Sequence, residues 1–333
     1  MNPLETNSNS ILEFHNLSIG YQSPVLSGIN ATVKKGEIIL LTGKNGSGKT
    51  TLLKSIYGEL PLLEGSIKIE GKNISEISPI ETGKYLAIVL SQNPVSPSLR
   101  VFDLVALGRY PYKKWYQSLT KKEIEAIDDI LHLLNLSRYR EYNITKLSDG
   151  NLQKVMIARA LVQNCPILIL DEPTSHLDIA NKLEIMNVIK MYAHDQDKSI
   201  LFTSHDLSLG LAVADRLWFI KDDLLHTGFT EDIANRYNLY DFFVNDAIRF
   251  DYQANEYNFF NSHTSKTVRV ISNSQSAYWL KKALVKNNFV ISDQSSIQIL
   301  EKDSVFYLLD KNQNEYSFIS IETLINFLRL KNS

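Results

Sequence analysis

Three short stretches combine residue types suited to phosphate chemistry. Residues 43–50 read GKNGSGKT, the spacing G-x-x-x-x-G-K-[ST]. In such a loop the glycines Gly43, Gly46 and Gly48 let the backbone curl. Successive N–H groups along Lys44, Asn45 and Ser47 can then point inward at β- and γ-phosphate oxygens. Lys49 adds a point charge, Thr50 offers a hydroxyl to Mg2+, and Thr51 continues the same helix start. Residues 167–172, ILILDE, place Asp171 and Glu172 at the end of an apolar run. Asp171 suits an outer-sphere Mg2+ carboxylate, and Glu172 could orient or deprotonate an attacking water. Two adjacent acids alone could be a solvated turn; the upstream glycine loop favours the chemical reading. The third stretch, LSDGNLQK at 147–154, runs the small residues Ser148 and Gly150 into an apolar-striped helical segment. A helix start with bare N–H groups is an anion site. Together these stretches imply a nucleoside triphosphate held with Mg2+.

The elements around them alternate as such a site requires. Strand EIILLT precedes the glycine loop and helix TTLLKSIYG follows it. ILEFHNLSI, GINATVKKGEIILLTG and EGSIKIEGKNI carry period-two apolar positions, punctuated by Lys35-Gly36, Gly65 and Gly71. YLAIVLSQNP is a further strand, ended by Pro94. Residues 101–142 turn helical: Thr120 and Glu123 form a capping box, with Ile124, Ile127, Ile130 and Leu134 on one face. After Leu147 come a helix, the strand PILILDEP, a helix over about 179–192 and the strand SILFTSHD. That βαβ alternation implies a parallel sheet with functional groups at the carboxyl ends of its strands. A polar, aromatic-rich stretch at 245–265 reads as a linker, and strand–helix–strand patterns over 266–333 read as a separate small α+β domain.

The chain has 333 residues, enough for about two domains. Its net charge of −2 gives no bulk attraction to nucleic acid or anionic lipid. No run of about 18 apolar residues could span a bilayer. The opening MNPLETNSNS lacks the basic and apolar regions of a signal peptide. The one cysteine, Cys165, excludes an internal disulfide, suits a reducing cytosol, and reads as a small buried hydrophobe. The expected location is cytoplasmic. No histidines pair at metal-ligand spacing, and His176 reads as a surface loop residue.

The ordered series Tyr21, GKNGSGKT, Gln92, LSDGNLQK, ILILDEP, SHLD (175–178) and His205 resembles the ATP-binding cassette (ABC) ATPase family, over roughly residues 11–240. The resemblance implies an α/β fold: a P-loop NTPase domain at 11–244, with a parallel core sheet, an antiparallel β subdomain and a helical subdomain at about 94–165. The small C-terminal domain follows it. ATP and Mg2+ are the implied cofactors. By resemblance, Tyr21 stacks on adenine, and Gln92 contacts Mg2+ and the water and senses a transmembrane partner. His205 contacts the γ-phosphate, and Asp178 belongs to the loop after the catalytic strand. Ser148, the Gly150 amide and Asn151 would close over the γ-phosphate held by the other subunit of a head-to-tail dimer.

Asp149 and Asn151 depart from the common LSGGQ pattern. A carboxylate 4 Å from a phosphate charge costs about 4 kcal/mol at an effective dielectric near 20. Its benefit at a helix N-terminus is only about 0.3–1 kcal/mol. Asp149 must therefore point away from the nucleotide. VFDLVALGRYPY at 101–112 looks like a segment of importer ATPases for iron–siderophore, haem and cobalamin. The implied partners are a second copy of the chain, transmembrane permease subunits and, indirectly, a substrate-binding protein, with no nucleic acid. That places the chain on the inner face of the membrane through the permease. A soluble ABC ATPase acting on DNA or the ribosome, or an exporter ATPase, stands as the alternative. The C-terminal region carries no motif and could be a brace, a regulatory module or stabilising packing.

Overall fold

A computed structural model describes residues 9–90, 98–114, 116–175, 177–243, 248–251, 256–259, 266–272, 274–287, 289–302 and 305–330. It divides into two compact units, 1–237 and 238–333, each with its own core.

In the first unit the chain runs β1 (Ser10–Gly20), β2 (Pro24–Lys34), β3 (Ile38–Gly43), α1 (Lys49–Ile56), β4 (Glu64–Ile69), β5 (Lys72–Asn73), α2 (Pro79–Tyr85) and β6 (Leu86–Val89). It continues through α3 (Val101–Ala106), α4 (Lys121–Leu133), α5 (Asp149–Val162), β7 (Ile167–Leu170), α6 (Ile179–Gln196), β8 (Ser199–Thr203), α7 (Leu207–Leu211), β9 (Arg216–Lys221), β10 (Leu224–Phe229) and α8 (Thr230–Arg236). Strands β2-β1-β4-β5 form an antiparallel sheet. The second sheet has the order β10-β9-β3-β8-β7-β6, parallel except for the edge strand β10. Strands β3, β7 and β8 are buried at every residue, which is why their sequences are continuous apolar runs rather than alternating ones. Strands β9 and β10 have no counterpart in the sequence reading. Trp218 of β9 is nonetheless a fully buried core side chain, edge-on to Phe14 at 5.3 Å.

The helical region follows its expected chemistry closely. Thr120 and Glu123 form the capping box that opens α4. The fully buried stripe is Ile127, Leu131 and Leu134, with Ile124 and Ile130 on its half-buried flanks. The segment 101–112 is α3 followed by a short 3-10 turn. A Cβ on Gly108 would lie 2.2 Å from the Arg159 carbonyl oxygen of α5, so only glycine permits this approach. Burial works against the charge on Glu123, but bonds from Lys113 and from the Thr120 N–H and hydroxyl prevail and hold its pKa at about 2.

The second unit contains α9 (Leu239–Phe242), β11 (Ile248–Asp251), β12 (Glu256–Phe259), β13 (Lys266–Ile271), α10 (Gln275–Lys286), β14 (Phe289–Ile291), β15 (Gln298–Lys302), β16 (Val305–Leu309), β17 (Glu315–Phe318) and α11 (Ile321–Leu330). The stretch read as a linker is thus partly ordered: β11 and β12 pair antiparallel, Ile248 opposite Phe259. Its aromatic and β-branched residues favour a strand over a flexible connection. The five-stranded sheet β14-β13-β15-β16-β17 buries one face against α10 and α11, with Val268, Ile299, Phe306, Leu280 and Leu328 at its centre.

Candidate active site

Backbone crowding defines the glycine loop. A Cβ on Gly43 would sit 2.7 Å from Ser47 Oγ and 2.9 Å from the Ile220 carbonyl oxygen of the neighbouring strand β9. Gly46 and Gly48 have φ of 79° and 102°, in the left-handed region where a side chain is strained. A Cβ on Gly48 would also press to 2.9 Å on Val25, so the loop packs against the start of β2. Gly48 is the N-cap of α1, so no side chain caps that helix, and its first turn holds no acid. Lys49 Nζ arches back to donate to the carbonyls of Gly43 (2.8 Å) and Lys44 (3.0 Å). Burial lowers the pKa of its ammonium, and the negative charges of Glu172 and Asp171 pull the other way. Ser47 Oγ is buried with no partner, a loss of about 1–3 kcal/mol unless a ligand meets it. An uncapped helix start, a lysine and an orphaned hydroxyl around a cradle too tight for a Cβ fit a phosphate chain.

The acids arrive from the adjacent strands. Asp171 follows β7 and is 7 % exposed. Glu172 adopts φ 52°, a costly backbone conformation for a residue with a side chain, and its Oε1 meets His205 Nε2 at 2.7 Å. His205 lies two residues beyond β8. Because β8 stands between β3 and β7, the ends of the three strands bring Lys49, Asp171, Glu172 and His205 to one edge of the sheet. Thr50 is exposed at the start of α1. The Thr50 hydroxyl and the Asp171 carboxylate are oxygens of the kind that suit Mg2+.

Ser148, Gly150 and Asn151 form a second cluster. Ser148 is the N-cap of α5, its Oγ accepting from the Asn151 N–H at 3.3 Å. A Cβ on Gly150 would meet Leu177 at 3.3 Å, so α5 begins close to the turn that leads into α6. Asp178 caps α6, accepting from the N–H of Asn181 at 2.8 Å. Asp149 is exposed in the first turn of α5.

The match to known proteins follows the same division. Residues 26–175 match the ABC transporter family, and residues 265–329 match the iron ABC transporter C-terminal domain. An uncharacterized ABC transporter ATP-binding protein of Methanocaldococcus jannaschii is 37% identical over 228 residues, 68% of this chain and 79% of that protein. The chain belongs to the ATP-binding proteins of ABC transporters. The iron(3+)-hydroxamate import ATP-binding protein FhuC of Bacillus subtilis is 37% identical over 199 residues, 59% of this chain and 74% of FhuC. The structure of cbiO1 from Clostridium perfringens, part of the ABC transporter complex cbiONQ, has a TM-score of 0.62 at 25% identity. It covers 70% of this chain and 94% of that one.

As an ABC ATP-binding protein, the chain binds ATP. Tyr21 lies in the turn between β1 and β2, 64 % exposed, on the hairpin that carries Val25 to Gly48. Gln92 and His176 lie outside the described residues. Two positioning groups escaped the sequence reading. Thr203 of β8 bonds both Asp171 and Glu172. Lys154, buried on α5, donates to Glu184 Oε2 of α6 at 2.6 Å, while Asn135 donates to Glu184 Oε1. Thr203 belongs to no quoted motif and Lys154 only closes the LSDGNLQK stretch; the partners of each are visible only when distant segments meet.

Proposed function

We propose that this chain is the ATP-hydrolysing subunit of an importer for an iron chelate. The cargo reading is carried by one observation: an ABC cassette and a region similar to the iron ABC transporter C-terminal domain occur in a single chain. The likeness to FhuC, an iron(3+)-hydroxamate import protein by its name, agrees with it. Permease subunits would carry the chelate across and hold the chain at the inner membrane face; among the described residues of the chain itself no helix is long and apolar enough to cross a membrane. A substrate-binding protein would deliver the chelate.

In this reading Lys49 and the loop amides of 43–50 bind the phosphates, and Tyr21 offers its exposed ring to adenine. Thr50 and Asp171 would hold Mg2+, which would supply charge neutralisation at the phosphates. Glu172 accepts the proton of the attacking water, and His205, whose Nε2 lies 2.7 Å from Glu172 Oε1, holds that carboxylate in place. A phosphate cradled by the loop alone is enclosed on one side. Ser148, Gly150 and Asn151 on a second copy supply the missing donors, giving a head-to-tail dimer with two shared sites. Co-purification from detergent-solubilised membranes, followed by reconstitution with the recovered permease, tests the reading. ATP-dependent uptake of radioactive iron as a ferric hydroxamate is the expected result. Recovery of ribosomes or DNA in place of a polytopic permease would overturn it.

A further inference from the structure

Thr203, the last residue of β8, is 1 % exposed and belongs to none of the motifs. Its Oγ1–H donates to Asp171 Oδ1 at 2.8 Å, and the same oxygen accepts the Glu172 N–H at 2.8 Å. A hydroxyl has one proton, and here the direction of both bonds is fixed: a carboxylate oxygen can only accept and an amide N–H can only donate. One side chain thus pins the carboxylate of the first acid and the peptide of the second. The peptide it pins is the one entering Glu172, whose φ of 52° needs such a constraint. That backbone turn is what leaves Glu172 Oε1 within 2.7 Å of His205.

We propose that Thr203 is a positioning residue for ATP hydrolysis. Its hydroxyl orients Asp171 toward the metal and holds Glu172 in its left-handed conformation, so that the two acids keep separate tasks. The proposal rests on the assignment of Asp171 and Glu172 made above. Strand order adds to it: β8 lies between β3 and β7, and Leu41 of β3 is paired with Thr203. The hydroxyl therefore sits between the strand that leads into the phosphate loop and the strand that ends in the acids.

The test compares Thr203→Val, which keeps the shape and removes the hydroxyl, with Thr203→Ser, which keeps the hydroxyl and removes a methyl. Glu172→Gln is run in parallel in the full chain. Loss of such a supporting partner should lower kcat about 10–100-fold in Thr203→Val, and Thr203→Ser should recover most of it. Binding of a fluorescent ATP analogue without Mg2+ should be unchanged in both. The Mg2+ concentration that half-saturates its Mg2+-dependent binding should rise about tenfold in Thr203→Val alone. If Thr203→Val does not fold, Thr203→Ala against Thr203→Ser carries the same comparison, since that pair differs by the hydroxyl. Wild-type turnover in Thr203→Val with an inactive Glu172→Gln would overturn the proposal, as would equal impairment of the Ser and Val variants. Wild-type turnover in Glu172→Gln would instead overturn the assignment beneath it.

Discussion

Helices α1 and α10 each follow a parallel strand, and they start in opposite ways. Helix α1 leaves β3 through Gly48, with no side-chain cap and a buried, unpartnered Ser47 hydroxyl beside it. Helix α10 leaves β13 through Ser274, whose Oγ accepts from the Ala277 N–H at 3.0 Å. Behind it, the Glu301 carboxylate takes the hydroxyls of Ser274 and Ser272. The first start is held open and positive; the second is closed by its own serine and backed by a negative charge. Parallel strands alone do not make a phosphate site. What makes one is a helix start whose donors the chain declines to satisfy, with acids delivered from the next strands.

The sharpest way to break this comparison is to neutralise one carboxylate in each unit. Glu172→Gln should lower ATP turnover by about 10²–10⁴-fold while nucleotide binding persists, because general-base assistance is lost and the loop is untouched. Glu301→Gln should leave turnover unchanged. Phosphate release and nucleotide binding on the two purified variants decide the matter. Equal turnover in both would remove Glu172 from the chemistry.

The two units also differ in how much of them the sequence discloses. The glycine loop, Asp171, Glu172 and His205 are legible because each motif stands at a strand end, and buried parallel strands read as short apolar runs such as ILIL and SILFT. Strands β9 and β10 were missed, since RLWFIK and LLHTGF follow a short helix without a glycine or proline between them. Thr203 and Lys154 were illegible for a different reason. Their meaning lies in partners 30 to 32 residues away, which only the packing of β7 on β8 and of α5 on α6 supplies. In the second unit helices α10 and α11 and most strands followed from the sequence pattern, yet nothing in that pattern assigns them chemistry.

Lys154 tests the packing that carries the Ser148 cluster. Its ammonium is buried and paired with Glu184, so Lys154→Met leaves Glu184 with the Asn135 amide as its remaining side-chain partner among those described. Removing the cation of this part-buried pair should cost about 1–3 kcal/mol. Chemical denaturation of the full chain measures it, and Lys154→Met/Glu184→Leu should recover part of the loss. An unchanged unfolding curve for the single variant would show that the pair contributes nothing net to holding α5 on α6.

The smallest expected effect bears most directly on the two helix starts. Ser274→Ala removes the cap of α10 and should cost about 1 kcal/mol locally, which speeds amide exchange in its first turn about fivefold. ATP binding and turnover should stay at wild-type levels, because the cap serves only its own helix. The converse substitution, Gly48→Ser, places a side chain at φ 102° against Val25 and should abolish nucleotide binding. The sign of the two results is what matters. A cap lost from α10 loosens a helix and leaves the chemistry alone; a side chain added at α1 destroys the anion seat. Were Ser274→Ala to change ATP affinity as well, the closed helix start would be coupled to the open one, and their separation into structural and chemical roles would fail.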